Sequence, residues 1–231
     1  MTHDLSSIEK KLNISFSNTN LLREALTHRS YLNENPEWNL PHNERLEFLG
    51  DAVLELVITD YLFSTYKQYE EGRLTSIRAA LVNYQALSKV AKSLGIEEFI
   101  IMSKGEARDT GKARDVILAN ACEALIGAIY LDKGYDVAKD FILKNVLVDV
   151  DEIVQKNLDK DSKSLFQEIA QEKFKITPSY KVLDEYGPDH KKIFVVGVFL
   201  NENKIADGSG LSKQEAELDA AKKAIHVLKT S

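Results

Sequence analysis

His42-Asn43-Glu44-Arg45-Leu46-Glu47-Phe48-Leu49-Gly50-Asp51-Ala52-Val53-Leu54 is the stretch whose reading decides the fold. Apolar residues continue past it through Leu56, Val57, Ile58, Tyr61 and Leu62 with no Pro, which predicts one long helix. At about 100° per residue, Glu44, Glu47 and Asp51 fall within roughly 60° of one another. The rest of the helix is apolar on nearly every side, so burial all round is expected. Three carboxylates stacked on a buried helix repel one another and are costly to desolvate, so something positive must offset them. A divalent cation meets that need. So does a partly exposed acidic stripe with salt bridges, for example to Arg45, and spacing alone does not choose between the two.

A second apolar run, Val116 to Asp132, predicts a second buried helix. Asn120 and Glu123, three apart on one face, are its only strongly polar side chains between Asp115 and Tyr130. A buried helix with one polar notch needs a partner for the notch, and the carboxylates of the first helix are the obvious one. Glu47, Asp51, Asn120 and Glu123 would then be oxygen donors from two crossing helices. Oxygen-only ligands suit Mg²⁺ or Mn²⁺ rather than zinc.

Around this pair, 231 residues allow one large or two small domains, and 44% hydrophobic with 29% charged residues describes a folded chain. No run of 18 apolar residues exists, so no transmembrane helix is expected, and Met1 to Lys11 lacks the apolar core of a signal peptide. The single Cys122 fits a reducing cytoplasm. A net charge of -6 excludes a polycation that coats nucleic acid by charge alone. Residues 160–231 carry 12 Lys and 11 Asp or Glu, so the acidity lies in the first part of the chain.

Phe16 to Ser30 reads as a helical segment ending in Thr27-His28-Arg29-Ser30, with His28 a hydrogen-bonded structural residue, and Tyr31 to Pro41 reads as a loop. Glu70-Glu71-Gly72 breaks the pattern, and a helix resumes from Thr75 to Leu94 with Gly95 as its stop. Lys104 to Arg114 reads as a loop whose Lys104, Arg108, Lys112 and Arg114 form either a phosphate-contacting edge or a solvated surface. Asp136 to Val154 is a third helical pattern. The polar stretch that follows divides the chain into an all-α domain (1–154), a linker (155–163) free to move, and a second domain (164–231).

The second domain is α+β, in the order α-β-β-β-α. A short helix from Ser164 to Phe174 carries a capping box, Ser164 with Gln167. Strands are expected at Ser179–Tyr186, Lys192–Leu200 and Asn203–Asp207, with Gly187-Pro188-Asp189-His190 as a turn and Gly208-Ser209-Gly210 as a flexible joint. A final helix, Ser212 to Lys229, has a second capping box, Ser212 with Glu215. The Gly-x-Gly before it is not a dinucleotide fingerprint, because the third Gly and the βαβ context are missing.

Glu44-Arg45-Leu46-Glu47-Phe48-Leu49-Gly50-Asp51-Ala52-Val53-Leu54 resembles the signature of the ribonuclease III family. Leu21-Leu22-x-x-Ala25-Leu26-Thr27-His28-x-Ser30, Glu71-Gly72-x-Leu74-x-x-x-Arg78-Ala79-x-Leu81-Val82 and Ile117 to Ala128 resemble that family's neighbouring segments. The C-terminal segment is similar to the double-stranded-RNA-binding domain, through Leu165, Gln167-Glu168, Gly187-Pro188-x-His190 and Gly208-x-Gly210-x-Ser212-Lys213-x-x-Ala216-Glu217. The resemblance covers nearly the whole chain, in the bacterial two-domain layout.

It implies a metal-dependent endoribonuclease that cuts double-stranded RNA, leaves 5′ phosphates and short 3′ overhangs, and processes ribosomal-RNA precursors and messages. By motif position Glu47, Asp51, Asn120 and Glu123 take the metal-binding catalytic places, and Glu44 and Glu71 match supporting acidic positions. Phe48 matches an aromatic that packs into a socket on a second subunit, which implies a homodimer. Gln167, Glu168, His190, Ser212 and Lys213 match the RNA-contacting positions, reading shape and 2′-hydroxyls more than bases. No membrane partner and no small-molecule cofactor are implied. Two positions depart from the pattern. Asn120 stands where Asp is usual, which removes a charge from the ligand set and opens the alternative of a weakened or inactive duplex-RNA binder. Gln214 stands where a second Lys is usual, which should reduce affinity and salt sensitivity. A hydrolase of small phosphate esters leaves the C-terminal domain unexplained.

Overall fold

The structure, a computed structural model, describes residues 5–155, 157, 161–188 and 191–230. It divides into two units, residues 1–159 and 160–231. The first is helical: α1 (Leu5–Leu12), α2 (Thr19–Ala25), α3 (Arg29–Glu34), α4 (Glu44–Thr65), α5 (Glu71–Val82), α6 (Tyr84–Ser93), α7 (Lys112–Lys133), α8 (Tyr135–Asn145) and α9 (Val150–Gln155). Single 3₁₀ turns lie at Ile96–Phe99, Glu106–Arg108 and Leu147–Asp149.

Helix α7 is the centre of this unit. Ile117, Leu118, Ala119, Ala121, Cys122, Ala124, Leu125, Ile126, Gly127, Ala128 and Ile129 are all buried, so it is covered on almost every side. Helix α4 lies against it and buries Leu46, Gly50, Val53, Leu54, Val57, Ile58 and Leu62. The two backbones nearly touch. A Cβ built on Gly50 would stand 1.8 Å from the Glu123 carbonyl oxygen, and one on Gly127 would stand 2.3 Å from that of Leu46.

The expectation that α4 is buried all round is corrected here. Phe48 is 80% exposed, Leu56 57% and Phe63 73%. Several boundaries also differ from the sequence reading. Tyr31 to Glu34 is helical within α3 rather than loop, because His28 caps that helix by accepting the Ser30 N–H. The helix expected over Thr75–Leu94 is two helices. Asn83 leaves α5 in extended conformation and caps α6, its Oδ1 accepting the Ala86 N–H at 2.9 Å. Glu71 and Gly72 begin α5 instead of interrupting a pattern. Asp136–Val154 is likewise broken, at Val146. Gly95 does stop α6, at φ +66°.

The second unit holds α10 (Ser162–Phe174), strands β1 (Ser179–Tyr186), β2 (Ile193–Leu200) and β3 (Asn203–Gly210), and α11 (Lys213–Thr230). The sheet is antiparallel in the order β1-β2-β3, with Tyr180 opposite Val198 and Val198 opposite Ala206. Phe166 and Ala170 of α10, Val198 and Leu200 of β2, and Ala220, Ala221, Ala224 and Ile225 of α11 form its core. The α-β-β-β-α order is as expected, with two corrections. The α10 cap is Asp161, which accepts the Lys163 and Ser164 N–H groups at 2.8 and 3.1 Å, so Ser164 lies inside the helix. Gly208-Ser209-Gly210 is the end of β3, not a joint. These glycines let α11 lie directly on the strand, since a Cβ on Gly208 would stand 2.1 Å from the Ala220 nitrogen.

Gly50→Ala forces two packed backbones apart with no flexible side chain to yield. Urea unfolding should show a loss of about 3 kcal/mol. Gly72→Ala, whose Cβ meets nothing within 4 Å, should leave the midpoint unchanged or higher.

Candidate active site and nucleic-acid interface

The Gly50–Gly127 crossing places the acidic residues. Glu47 and Asp51 flank Gly50 on α4, while Asn120 and Glu123 precede Gly127 on α7. The Asn120 side chain lies beside the Glu47 carboxylate and opposes the rise in its proton affinity. Burial, then the charges of Asp51 and Glu47, push the Glu123 carboxyl up to about 8. Glu47 is raised as well, by burial first and then by Glu44 and Asp51. These residues therefore form one electrostatic unit. Among the described residues no Lys or Arg is paired with Glu47, Asp51 or Glu123. Arg45, the pairing partner considered from sequence, acts on Glu24 instead.

The donor chemistry fits a hard divalent cation: oxygen atoms only, mutually repelling, with no protein counter-charge. The set is open. Among the described residues no three His, Cys, Asp or Glu side chains are grouped as a ready-made cage for an ion.

Glu44 stands at the exposed start of α4, 3.4 Å from an Arg29 Nη and 3.9 Å from His42 Nδ1. Glu71 is placed apart, on the wall of an apolar cavity of about 880 Å³ lined by Phe63, Tyr66, Leu74 and Arg78.

The start of α4 is also held by contacts that periodicity did not reveal. Buried Asn43 donates its backbone N–H to the Thr27 carbonyl at 2.9 Å and its side-chain amide to the Ala25 carbonyl at 3.4 Å. On the other side of the same short segment, Ile101 N–H donates to Leu26 O and His28 N–H to Ile101 O, both at 2.8 Å. The pattern Leu-Thr-His-x-Ser carried the signal, but its long-range partners were not readable from spacing.

In the second unit, Gln167 and Glu168 lie on the exposed face of α10. At the start of α11 the Ser212 Oγ accepts the Glu215 N–H at 3.2 Å, and Glu215 accepts the Leu211 N–H at 2.8 Å. The expected capping box is thus present, shifted by one residue on its return bond. Exposed Lys213 lies with its Nζ 5.8 Å from the Phe194 ring centre, at a helix N-terminus that attracts phosphate. His190 lies outside the described residues.

Comparison with known proteins gives matching family descriptions for both units. Residues 18–150 match the family model "Ribonuclease-III-like" and residues 162–228 match "Double-stranded RNA binding motif". A protein named Ribonuclease 3 from Carboxydothermus hydrogenoformans is 46% identical over 226 residues, 98% of this chain and 96% of its own length. Ribonuclease 3 from Borreliella burgdorferi is 43% identical over 97% of this chain and 91% of its own. The solved nuclease domain of ribonuclease III from Campylobacter jejuni, described with flexibility in a region involved in dimer formation, is similar at 43% identity. It has a TM-score of 0.57 and covers 62% of this chain and 96% of its own.

The Glu123 shift has a measurable sign. A carboxyl raised to about 8 when folded binds its proton more tightly in the native state, so stability falls as pH rises toward 8. Melting temperature in EDTA should decline between pH 6.5 and 8, and Glu123→Gln should flatten that decline. An equally steep decline in Glu123→Gln would exclude this carboxyl as its source.

Proposed function

This chain belongs to the ribonuclease III family, and from that premise we propose that it hydrolyses phosphodiester bonds of double-stranded RNA at the α4–α7 crossing. The observation that carries the reading is one chain holding both the oxygen quartet of Glu47, Asp51, Asn120 and Glu123 and a double-stranded-RNA-binding fold.

Mg²⁺, with Mn²⁺ as a substitute, fits the quartet. Such a cation activates water as a nucleophile and stabilises charge on the phosphate and the leaving oxygen. Glu47, Asp51 and Glu123 would supply the carboxylates that hold it, and Asn120 would supply a neutral amide oxygen. Glu44, which accepts a hydrogen bond from Arg29, supports this set from the start of α4. Glu71 is assigned to the wall of the cleavage valley. The products are duplex ends with 5′ phosphates and short 3′ overhangs, and the substrates are ribosomal-RNA precursors and structured messages.

Binding is assigned to both units. Gln167 and Glu168 reach 2′-hydroxyls in one minor groove, His190 reaches the next, and Ser212 with Lys213 meets the phosphates between them. The linker is assigned to 155–163. Phe48, Leu56 and Phe63 fall within roughly 80° on one side of α4 and are solvent-exposed. This stripe is the homodimer face, and the apolar cavity beside Phe63 offers a socket for Phe48 of a second copy. A cytoplasmic location agrees with the buried thiol of Cys122. Among the described residues no helix is long and apolar enough to cross a membrane.

A second reading, a duplex-RNA binder without cleavage, follows from Asn120 alone. The position of the Asn120 amide beside the Glu47 carboxylate favours the enzyme, because it keeps an oxygen next to the donor set.

Wild-type protein with Mg²⁺ should cut a long labelled duplex, and EDTA should stop it. Glu123→Gln should lower the rate at least about 10³-fold with the gel shift retained. Absence of wild-type cleavage, restored by Asn120→Asp, would establish the binder instead. Phe48→Glu should convert a dimer to a species of 26.0 kDa in light scattering. Lys213→Ala should weaken binding to all duplexes alike and flatten the salt slope by about one unit.

A further inference from the structure

Between α2 and α3, the segment Leu26–Ser30 is bonded on two sides. Toward α4, the Thr27 carbonyl accepts the Asn43 N–H, and Asn43 O in turn accepts the Glu47 N–H at 2.9 Å. Toward the loop before α7, the backbone pair of Leu26 and His28 with Ile101 is extended by side chains. The Ser30 N–H donates to His28 Nδ1 at 3.3 Å, so that nitrogen is an acceptor. The Ser30 hydroxyl, 2.8 Å away, then donates to it as well. Its free lone pairs accept the Ser103 N–H at 3.1 Å. Burial keeps the His28 imidazole neutral, as this arrangement requires.

Ser103 passes the order onward. It is buried, its Oγ accepts the Glu106 N–H at 3.2 Å, and its carbonyl accepts the Ala107 N–H at 3.0 Å. Glu34 of α3 accepts the Lys104 N–H at 3.2 Å. The turn so held presents Lys104 and Arg108, both exposed and, among the described residues, without an acidic partner. The other two cations of this stretch are engaged: Arg114 with Glu97 at 3.0 Å, and Lys112 over the Tyr84 ring. His28 feels both Glu106 of the turn and Glu44 of α4, so the turn and the start of the acidic helix both lie within electrostatic reach of it.

We propose that Ser30 is a positioning residue that, through Ser103, sets Lys104 and Arg108 at a fixed offset from the carboxylates of α4, so that duplex phosphates bound by this turn bring the scissile bond into register. The proposal rests on the reading of the chain as a duplex-RNA nuclease. Ser30 touches no substrate itself. Its role is in the rate at saturating RNA, since the second unit supplies duplex affinity of its own.

The test uses the full chain, Mg²⁺ and a duplex of about 30 base pairs, longer than the span of one binding module. Single-turnover cleavage, gel-shift affinity and melting temperature are measured together. Ser30→Ala should lower the cleavage rate about five- to tenfold with little change in gel shift. Lys104→Ala/Arg108→Ala should lower it similarly, and adding Ser30→Ala to that pair should lower it no further, because both changes remove the same contact. Ser30→Thr, which keeps the hydroxyl, should restore the rate. A wild-type rate in Ser30→Ala, or multiplicative losses in the combined variant, would overturn the proposal. Should Ser30→Ala lose its cooperative melt, Ser30→Cys keeps the shape with weak hydrogen bonding, and a wild-type rate there overturns it equally. A wild-type chain that cuts no duplex would instead overturn the nuclease reading on which this one stands.

Discussion

Two helix backbones in direct contact are the constraint on which the nuclease unit depends. Gly50 and Gly127 leave no room for a side chain at the α4–α7 crossing. That closeness has a cost and a use. The cost is a set of acidic groups brought together in a partly buried place, with Glu123 raised to about 8 by burial first and by its acidic neighbours second. The use is precision. Glu47 and Asp51 are one turn apart on α4 and flank Gly50. Asn120 and Glu123 are nearly one turn apart on α7 and lie just before Gly127. No loop intervenes, so the donor oxygens inherit the rigidity of the most deeply buried helix of the unit.

The same helix pair explains why two similar apolar runs have different fates. Helix α7 is apolar all round because it is the core, enclosed by α2, α4, α6 and α8. Helix α4 is apolar all round for two reasons: one side faces α7, and the other presents Phe48, Leu56 and Phe63 to solvent. Exposed apolar side chains on a rigid helix form a patch of the kind that marks an interaction surface. Composition and periodicity are identical signals for a face buried in a core and a face left to solvent. The difference between α4 and α7 therefore could not be read from either run alone.

Much of the remainder was legible, and the failures share a cause. The long helices, the α-β-β-β-α order and the acidic pairing across two helices follow from period and motif, which are local properties. What was missed depends on contacts between distant residues. Asn83 reads as one more polar residue on a helix until its side chain is seen to cap α6. Gly208-Ser209-Gly210 reads as a joint because Gly is permissive, yet here Gly is needed for α11 to lie against the strand. Asp161 lay in a stretch read as linker, and only its two accepted N–H groups show it to be the start of α10. At the site, residue types and spacing pointed to the quartet, while Asn43 and Thr27, which hold the start of α4, carry no periodic signal.

The charge balance then has a physical meaning. An acidic chain that binds a polyanion must keep like charge away from phosphate except where a cation intervenes. Here much of the repulsion is concentrated at one crossing, on carboxylates with no protein counter-charge. Exposed cations stand elsewhere: Lys104 and Arg108 in a braced turn, and Lys213 at the start of α11. Each is a weak contact by itself, since exposed charges are screened by salt. Asn120 fits that logic. The amide lies beside Glu47 and carries no charge, so it adds nothing to the acidic repulsion that the fold must overcome.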